Sequence, residues 1–154
     1  MLADCLQVLS NGRSPLVLTS RKEHLDYLAG RLRGMCKHIV VLKGGLGVRQ
    51  RKQVIEALSL VSPDEPRLIL ATGSYLGEGF DDARLDTLFL AMPISWKGTL
   101  QQYVGRLHRL HENKKEVLVY DYADLLVPML ARMYKKRLAG YSALGYIVAE
   151  GRST

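Results

Sequence analysis

Apolar positions recur along the chain in two alternating patterns. Five short runs have the length and composition of buried β-strands: Leu16-Val17-Leu18-Thr19, His38-Ile39-Val40-Val41-Leu42, Arg67-Leu68-Ile69-Leu70-Ala71, Thr87-Leu88-Phe89-Leu90 and Glu116-Val117-Leu118-Val119-Tyr120. Stretches with helical spacing lie between them. Residues 2 to 9 predict a helix ahead of the first strand. Ser20-Arg21-Lys22-Glu23 has the form of a capping box, and Leu25, Leu28 and Leu32 continue it as an amphipathic helix ending near Gly34. Gly44, Gly45 and Gly47 predict a turn before a helix over residues 48 to 60, and Ser62-Pro63-Asp64-Glu65-Pro66 predicts a loop. A Gly-rich loop with one helical turn near Tyr75 follows the third run. One helix is predicted from Thr99. A closing helix over about residues 126 to 138 packs by Leu126, Leu130, Tyr134 and Leu138 and carries Arg132, Lys135 and Lys136 elsewhere.

Strands alternating with helices predict an α/β fold, a mostly parallel, doubly wound sheet with helices on both faces. The runs are apolar throughout rather than at every second residue, as expected where both faces of a sheet are covered. Ligands of such sheets sit beyond the carboxyl ends of the strands. Ser20 and Arg21 follow the first strand, Gly44 and Gly45 the second, and residues 72 to 81 the third.

The helix after the fourth strand carries the chemistry. Leu100, Tyr103, Val104 and Leu107 fall at i, i+3, i+4, i+7 and form one buried face. Gln102, Arg106 and Arg109 fall at i, i+4, i+7 and share another. An amide and two fixed cations on one face suit a polyphosphate whose charge shifts during reaction; a solvated helix face uses the same residues. Gly105 interrupts this helix, and a mid-helix glycine costs about 1 kcal/mol relative to alanine, so it asks for a packing or a ligand reason. The three glycines of Ala71-Thr72-Gly73-Ser74-Tyr75-Leu76-Gly77-Glu78-Gly79-Phe80-Asp81 allow close backbone approach to a ligand. There Thr72 could donate to a backbone phosphate and Asp81 accept from a ribose hydroxyl. A plain turn with Asp81 and Asp82 as solvated caps explains the loop as well.

Composition narrows the partner. The 154 residues suit one domain, and 22 Lys+Arg against 15 Asp+Glu leave a net charge of +7. That balance favours an anionic partner, nucleic acid first, and is equally compatible with a basic protein that binds none. Cys5 and Cys36 lack metal-ligand spacing and suggest reduced thiols inside a cell. His108 and His111 have no cysteine or paired carboxylate beside them and are expected as surface histidines, so no metal site is expected. No apolar run reaches the roughly 18 residues that span a membrane. The first residues carry no basic n-region, so the expected location is cytoplasmic, without a membrane partner.

Residues 15 to 121 resemble, motif by motif, the C-terminal (second RecA-like) motor domain of superfamily 2 helicases and translocases. Leu16-Val17-Leu18-Thr19-Ser20-Arg21 resembles motif IV. Lys43-Gly44-Gly45 followed by Arg51 is similar to the next motif, with Lys43 where the family often has His. Ala71-Thr72 through Glu78-Gly79-Phe80-Asp81 resembles motif V, and Gln102-x-x-Gly105-Arg106-x-x-Arg109 resembles motif VI. The wording of Asp81-Asp82-Ala83-Arg84-Leu85-Asp86 and Pro93-Ile94-Ser95-Trp96-Lys97-Gly98-Thr99 is similar to the DEAD/DEAH-like and type III restriction-subunit-like branch.

The resemblance implies a RecA-like, P-loop NTPase-type three-layer sandwich as a single domain over residues 1–154. The extra helix would occupy 1–13, the core motifs 14–121, and a closing helix with a tail 122–154. It implies that Arg106 and Arg109 are arginine fingers and that Gln102 contacts the γ-phosphate or the attacking water. Gly79, Gly105 and Asp81 would border the nucleotide, with Asp81 at the ribose. Ser20, Arg21, Gly45 and Thr72 would hold the phosphates of one DNA or RNA strand, contacts that position the strand without reading bases. The chain has no G-x-x-x-x-G-K-[ST]: Gly44-Gly45-Leu46-Gly47-Val48-Arg49-Gln50 lacks the lysine and the hydroxyl. The acidic box is missing too, since Asp64-Glu65 lies between two prolines. ATP and Mg²⁺ are therefore expected to be held mainly by an N-terminal RecA-like domain of the same protein, the present chain being inactive alone. Two other classes stay open. One is a stand-alone nucleic-acid-binding or regulatory module. The other is a nucleotide-sugar or dinucleotide enzyme, although the first strand ends in Thr19-Ser20-Arg21 without its G-x-G-x-x-G turn.

Overall fold

A computed structural model describes residues 1–42, 47–72, 84–110 and 116–149, with the backbone alone at 109 and 110. Helix α1 (Leu2–Ser10) precedes strand β1 (Pro15–Thr19), and helix α2 (Lys22–Leu32) leads to β2 (His38–Leu42). Helix α3 (Val48–Ser59) leads to β3 (Arg67–Thr72). Strand β4 (Thr87–Ala91), α4 (Thr99–Leu110), β5 (Leu118–Asp121) and α5 (Pro128–Ala143) follow.

The five strands form one sheet in the order β2-β3-β1-β4-β5, and every pairing is parallel. Parallel neighbours need crossovers, and these twist right-handed, so a reversal in the direction of travel moves the helix to the opposite face. Travel from β1 to β2 runs one way, and from β2 to β3 and from β4 to β5 the other. Accordingly α2, with α1, packs on one face through Cys5, Val8, Leu25, Leu28 and Leu32 against Val17, Leu68, Leu70 and Phe89. On the opposite face α4 sets Leu100, Tyr103, Val104 and Leu107 against Leu16, Leu18, Leu88 and Leu90, joined by Leu58 of α3 and Tyr141 of α5. Leu16, Val17 and Leu18 are all fully buried, the reason this strand is apolar at every position. The expected three layers and the expected buried face of α4 are thus present.

Three expectations change. Helix α2 starts at Lys22 behind Arg21, without a side-chain cap, so Ser20 does not close a capping box. Arg21 is still extended (φ −108°, ψ 118°), which leaves the Ser20 hydroxyl one residue too early for the first-turn N–H groups. Leu126 does not pack: it is 93% exposed and precedes α5, whose first residue is Pro128. Proline fits the first helical position because its missing N–H has no intrahelical acceptor there. The residues that α5 buries are Arg137, Gly140 and Tyr141. Finally, His108 is half-buried rather than on the surface, its ring 4.9 Å from that of Tyr146; His111 lies outside the described residues.

The amino-terminal edge of the sheet is tied by arginines. Arg13 donates to Thr87 Oγ1 at 2.8 Å and to the Asp86 carbonyl at 3.1 Å. Arg84 donates to Ser14 Oγ at 3.0 Å and to the carbonyls of Val61, Ser62, Pro63 and Glu65. Buried Arg67 donates to the Leu58 carbonyl at 3.1 Å. Asp86 accepts the Ser14 N–H at 2.9 Å. The Ser62–Pro66 stretch is a loop, as expected, and its Glu65 pairs with His38, which holds that carboxyl below its usual range. Cys5 and Cys36 are free and buried, and burial raises both thiols, Cys5 to about 12. No helix among the described residues is long and apolar enough to cross a membrane.

Candidate functional site at the carboxyl edge of the sheet

Because all strands are parallel, their carboxyl ends share one edge. Thr19 and Thr72 are register partners at the ends of β1 and β3, and Thr19 also pairs with Ala91 at the end of β4. Register therefore brings Ser20 and Arg21 beside Thr72, three of the positions at which the resemblance implies strand contacts. Thr72 is half-buried; Ser20 and Arg21 are exposed. Thr19 Oγ1 organises the turn between them. It accepts the Arg21 N–H at 3.3 Å and lies 3.3 Å from His24 Nδ1. Burial, then the Arg21 charge, holds His24 below its ordinary value of 6.5. Among the described residues the Arg21 guanidinium has no hydrogen-bonding or ionic partner. The uncapped first turn of α2 beside it leaves N–H groups turned toward any anion at this edge.

Helix α4 descends from the same edge. Gly98, at φ +89°, turns the chain into it, and the Gln101 and Gln102 N–H groups bond back to the Trp96 and Gly98 carbonyls. Gln102 is exposed and Arg106 half-buried, one turn apart on the face away from the core residues. Among the described residues the Arg106 guanidinium meets no acceptor. Gly105 is buried, but packing does not require a glycine there. A Cβ would stand 3.9 Å from both Leu144 methyl groups, an ordinary contact, and φ is not positive. The side chain of Arg109, and Gly45, Gly79 and Asp81 entirely, lie outside the described residues.

One cluster escapes a periodicity reading. Arg137 is 2% exposed and donates to both carboxylate oxygens of Asp121, from Nε at 2.8 Å and Nη2 at 2.9 Å, and to the Ile94 carbonyl at 2.9 Å. Tyr141 donates to Asp121 as well, at 2.7 Å. Burial opposes the Arg137 charge, but Asp121 outweighs it and the guanidinium is held more firmly protonated. Burial and the adjacent carboxylate both push the Tyr141 phenol up. The available signal was an arginine within an apolar helical face: residues 130, 134, 137 and 141 fall at i, i+4, i+7, i+11. Among the described residues no group of His, Cys, Asp or Glu could hold a metal ion.

No protein-family model matches the chain, and no curated protein matches its sequence. Solved structures do match its architecture. The C-terminal part of the Fun30 ATPase domain superposes with a TM-score of 0.67 at 16% identity, covering 96% of this chain and 48% of that one. T4 UvsW gives 0.64 at 14% identity over 93% of this chain and 31% of that one. The C-terminal domain of S. cerevisiae Dbp5, solved bound to Gle1 and IP6, gives 0.60 at 18% identity over 96% and 82%. The fold is the one shared by the C-terminal part of the Fun30 ATPase domain and the C-terminal domain of the DEAD-box protein Dbp5. The chain spans about half of the matched Fun30 chain. In this C-terminal-domain fold, β1, β3 and β4 are the central strands. Arg21, Thr72 and the start of α4 stand at or just beyond their carboxyl ends.

Proposed function

We propose that this chain is the C-terminal motor domain of an ATP-dependent superfamily 2 helicase or translocase, a single domain over residues 1–154. One observation carries the reading. Arg106 and Gln102 share a face of α4, and the half-buried Arg106 guanidinium has no acceptor among the described residues. A half-desolvated cation unpaired among the described residues costs stability, which supports an anion supplied from outside them.

A nucleotide fits these residues. Arg106 would place its charge against the γ-phosphate, with Arg109 as a second finger and Gln102 at the γ-phosphate or the attacking water. Gly79, Gly105 and Asp81 would border the nucleotide, and Mg²⁺ would be held with ATP mainly by an N-terminal RecA-like domain. Bound ATP would supply the phosphoanhydride whose hydrolysis, once the phosphate has left, removes charge from the cleft. Fingers on one domain and phosphate grip on the other mean that closure assembles the site, and loss of the γ-phosphate contact lets it open. Ser20, Arg21, Gly45 and Thr72 would hold one nucleic-acid strand by its phosphates. The DEAD/DEAH-like or type III restriction-subunit-like branch, DNA or RNA as the track and a cytoplasmic location belong to the same reading.

The test is turnover. The full-length product should hydrolyse ATP, and Arg106→Ala should lower its kcat by about 10³- to 10⁵-fold. The chain alone should show no rate above its own Arg106→Ala control; a clear difference would overturn its proposed inactivity. Single-strand affinity should fall with salt at a log–log slope of about −0.7 per neutralised phosphate, and Arg21→Gln should remove about one such increment. A non-catalytic nucleic-acid-binding module of the same fold would keep the salt slope and show no turnover in any context.

A further inference from the structure

We infer that α5 and the residues just after it form a clamp that sets the position of α4. Arg137 is a positioning residue acting through the Ile94 carbonyl, and Trp96 through its seat on Gly140. The inference rests on the proposed role of Arg106.

The clamp grips α4 at two levels. At the top, Arg137 is anchored by Asp121 at the end of β5 and reaches across to Ile94, in the connection from β4 to α4. Two residues on, the Trp96 indole lies against the backbone of α5. A Cβ on Gly140 would stand 2.0 Å from Trp96 Cε2, so only glycine allows this contact. Trp96 also meets the Tyr141 ring edge-on at 5.0 Å, and its carbonyl accepts the Gln101 N–H of the first turn of α4. Lower down, Tyr146 donates to the Val104 carbonyl at 3.2 Å, and its ring packs on His108. Burial pushes the Tyr146 phenol up to about 12, so it stays a donor at any physiological pH.

Gln102 lies between these two grips, and Arg106 lies between the two contacts of the lower one, Val104 and His108. A helix held at its start and its middle can neither slide nor rotate freely, and a finger must meet its phosphate within a fraction of an ångström. A buried bidentate ion pair resists displacement, because shifting either partner strands the other in a dry site.

The experiment uses the full-length protein with Arg137→Lys, which keeps the charge and loses the fork, and Trp96→Phe, which keeps a ring and loses the indole. Both are assayed well below their measured unfolding midpoints, beside wild type and Arg106→Ala. The expected result is a kcat lower by about ten- to a hundredfold with KM for ATP unchanged. Trp96 is the only tryptophan of the chain. Its emission, isolated by subtracting a matched Trp96→Phe protein, should shift to the red and become more quenchable by acrylamide in Arg137→Lys. Normal kcat in the clamp variants while Arg106→Ala has lost turnover overturns this inference alone. A kcat loss in Arg137→Lys with unchanged Trp96 emission overturns it too, since the connection would not have moved. Full turnover in Arg106→Ala overturns the arginine-finger reading and the clamp with it. Should Arg137→Lys fail to fold, kcat and KM of Trp96→Phe decide.

Discussion

Arginines are used in opposite ways at the two edges of the sheet. At the amino-terminal edge, Arg13 and Arg84 are saturated with carbonyl and hydroxyl acceptors from several segments, and Arg67 reaches back to α3. Loops there are sewn together by guanidinium forks, and little of that charge is left to offer. On the carboxyl side, Arg21 and Arg106 have no acceptor among the described residues. Arg137 stands between the two cases: it lies near the carboxyl edge, yet it is spent on Asp121 and Ile94. Net charge alone therefore says little about an anionic partner. What matters is which cations the fold has already neutralised.

The sharpest way to break this contrast is to truncate one arginine from each edge. Arg106→Ala should abolish most turnover of the full-length protein, by about 10³- to 10⁵-fold. Its unfolding free energy should stay within about 0.5 kcal/mol of wild type, since no hydrogen bond among the described residues is lost. Arg84→Ala should do the reverse. It should cost about 1–3 kcal/mol in denaturant unfolding, because buried Ser14 and the partly exposed carbonyls of Val61 and Glu65 lose their donor, while kcat per folded molecule is unchanged. Equal stability losses in the two variants would mean that Arg106 is a structural residue after all.

Two glycines extend the same logic to backbone positions. Gly140→Ala drives a methyl into the Trp96 ring and should cost about 1–3 kcal/mol. Gly105→Ala meets only ordinary contact with Leu144 and should gain up to about 1 kcal/mol from helix propensity. A more stable Gly105→Ala protein with impaired turnover would locate the reason for that glycine in the ligand rather than in the packing.

What could be read in advance follows from the range of each interaction. The apolar runs mark β1, β3 and β4 because a strand buried on both faces has no other composition; the edge strands β2 and β5 are half-buried and keep the same apolar runs. The stripe from Leu100 to Leu107 marks its helix face because helical periodicity is local. Arg137 was opaque for the opposite reason. Its partners Asp121 and Ile94 lie on other elements, and a charged residue in a helix reads as solvated until they are known. The Ser20 capping box does not form, since the chain stays extended through Arg21 and α2 has no side-chain cap. Leu126 fits the helical periodicity yet precedes Pro128, which begins the helix two residues later.

The smallest expected effect probes Arg21 through its neighbour. His24 is held below 6.5 first by burial and then by the Arg21 charge. A lowered histidine means that the unfolded chain binds the proton more readily, so stability is intact above 6.5 and declines as pH falls below it. Glu65, a carboxyl lowered from 4.5 by His38, declines in the same direction but only below 4.5, so the onsets of the two losses are separable. His24→Gln should therefore flatten the fall in unfolding midpoint that starts below neutrality and leave the acid limb unchanged. The same ring reports on ligand. Arg21→Gln removes the cation and should raise the His24 pKa measured by NMR titration. A phosphate docked on Arg21 neutralises that cation, so a saturating single-stranded oligonucleotide should also raise it in wild type and have much less effect in Arg21→Gln. An unmoved His24 titration at saturation would take Arg21 out of the strand-binding surface and leave the unspent charge at Arg106 to explain the anion alone.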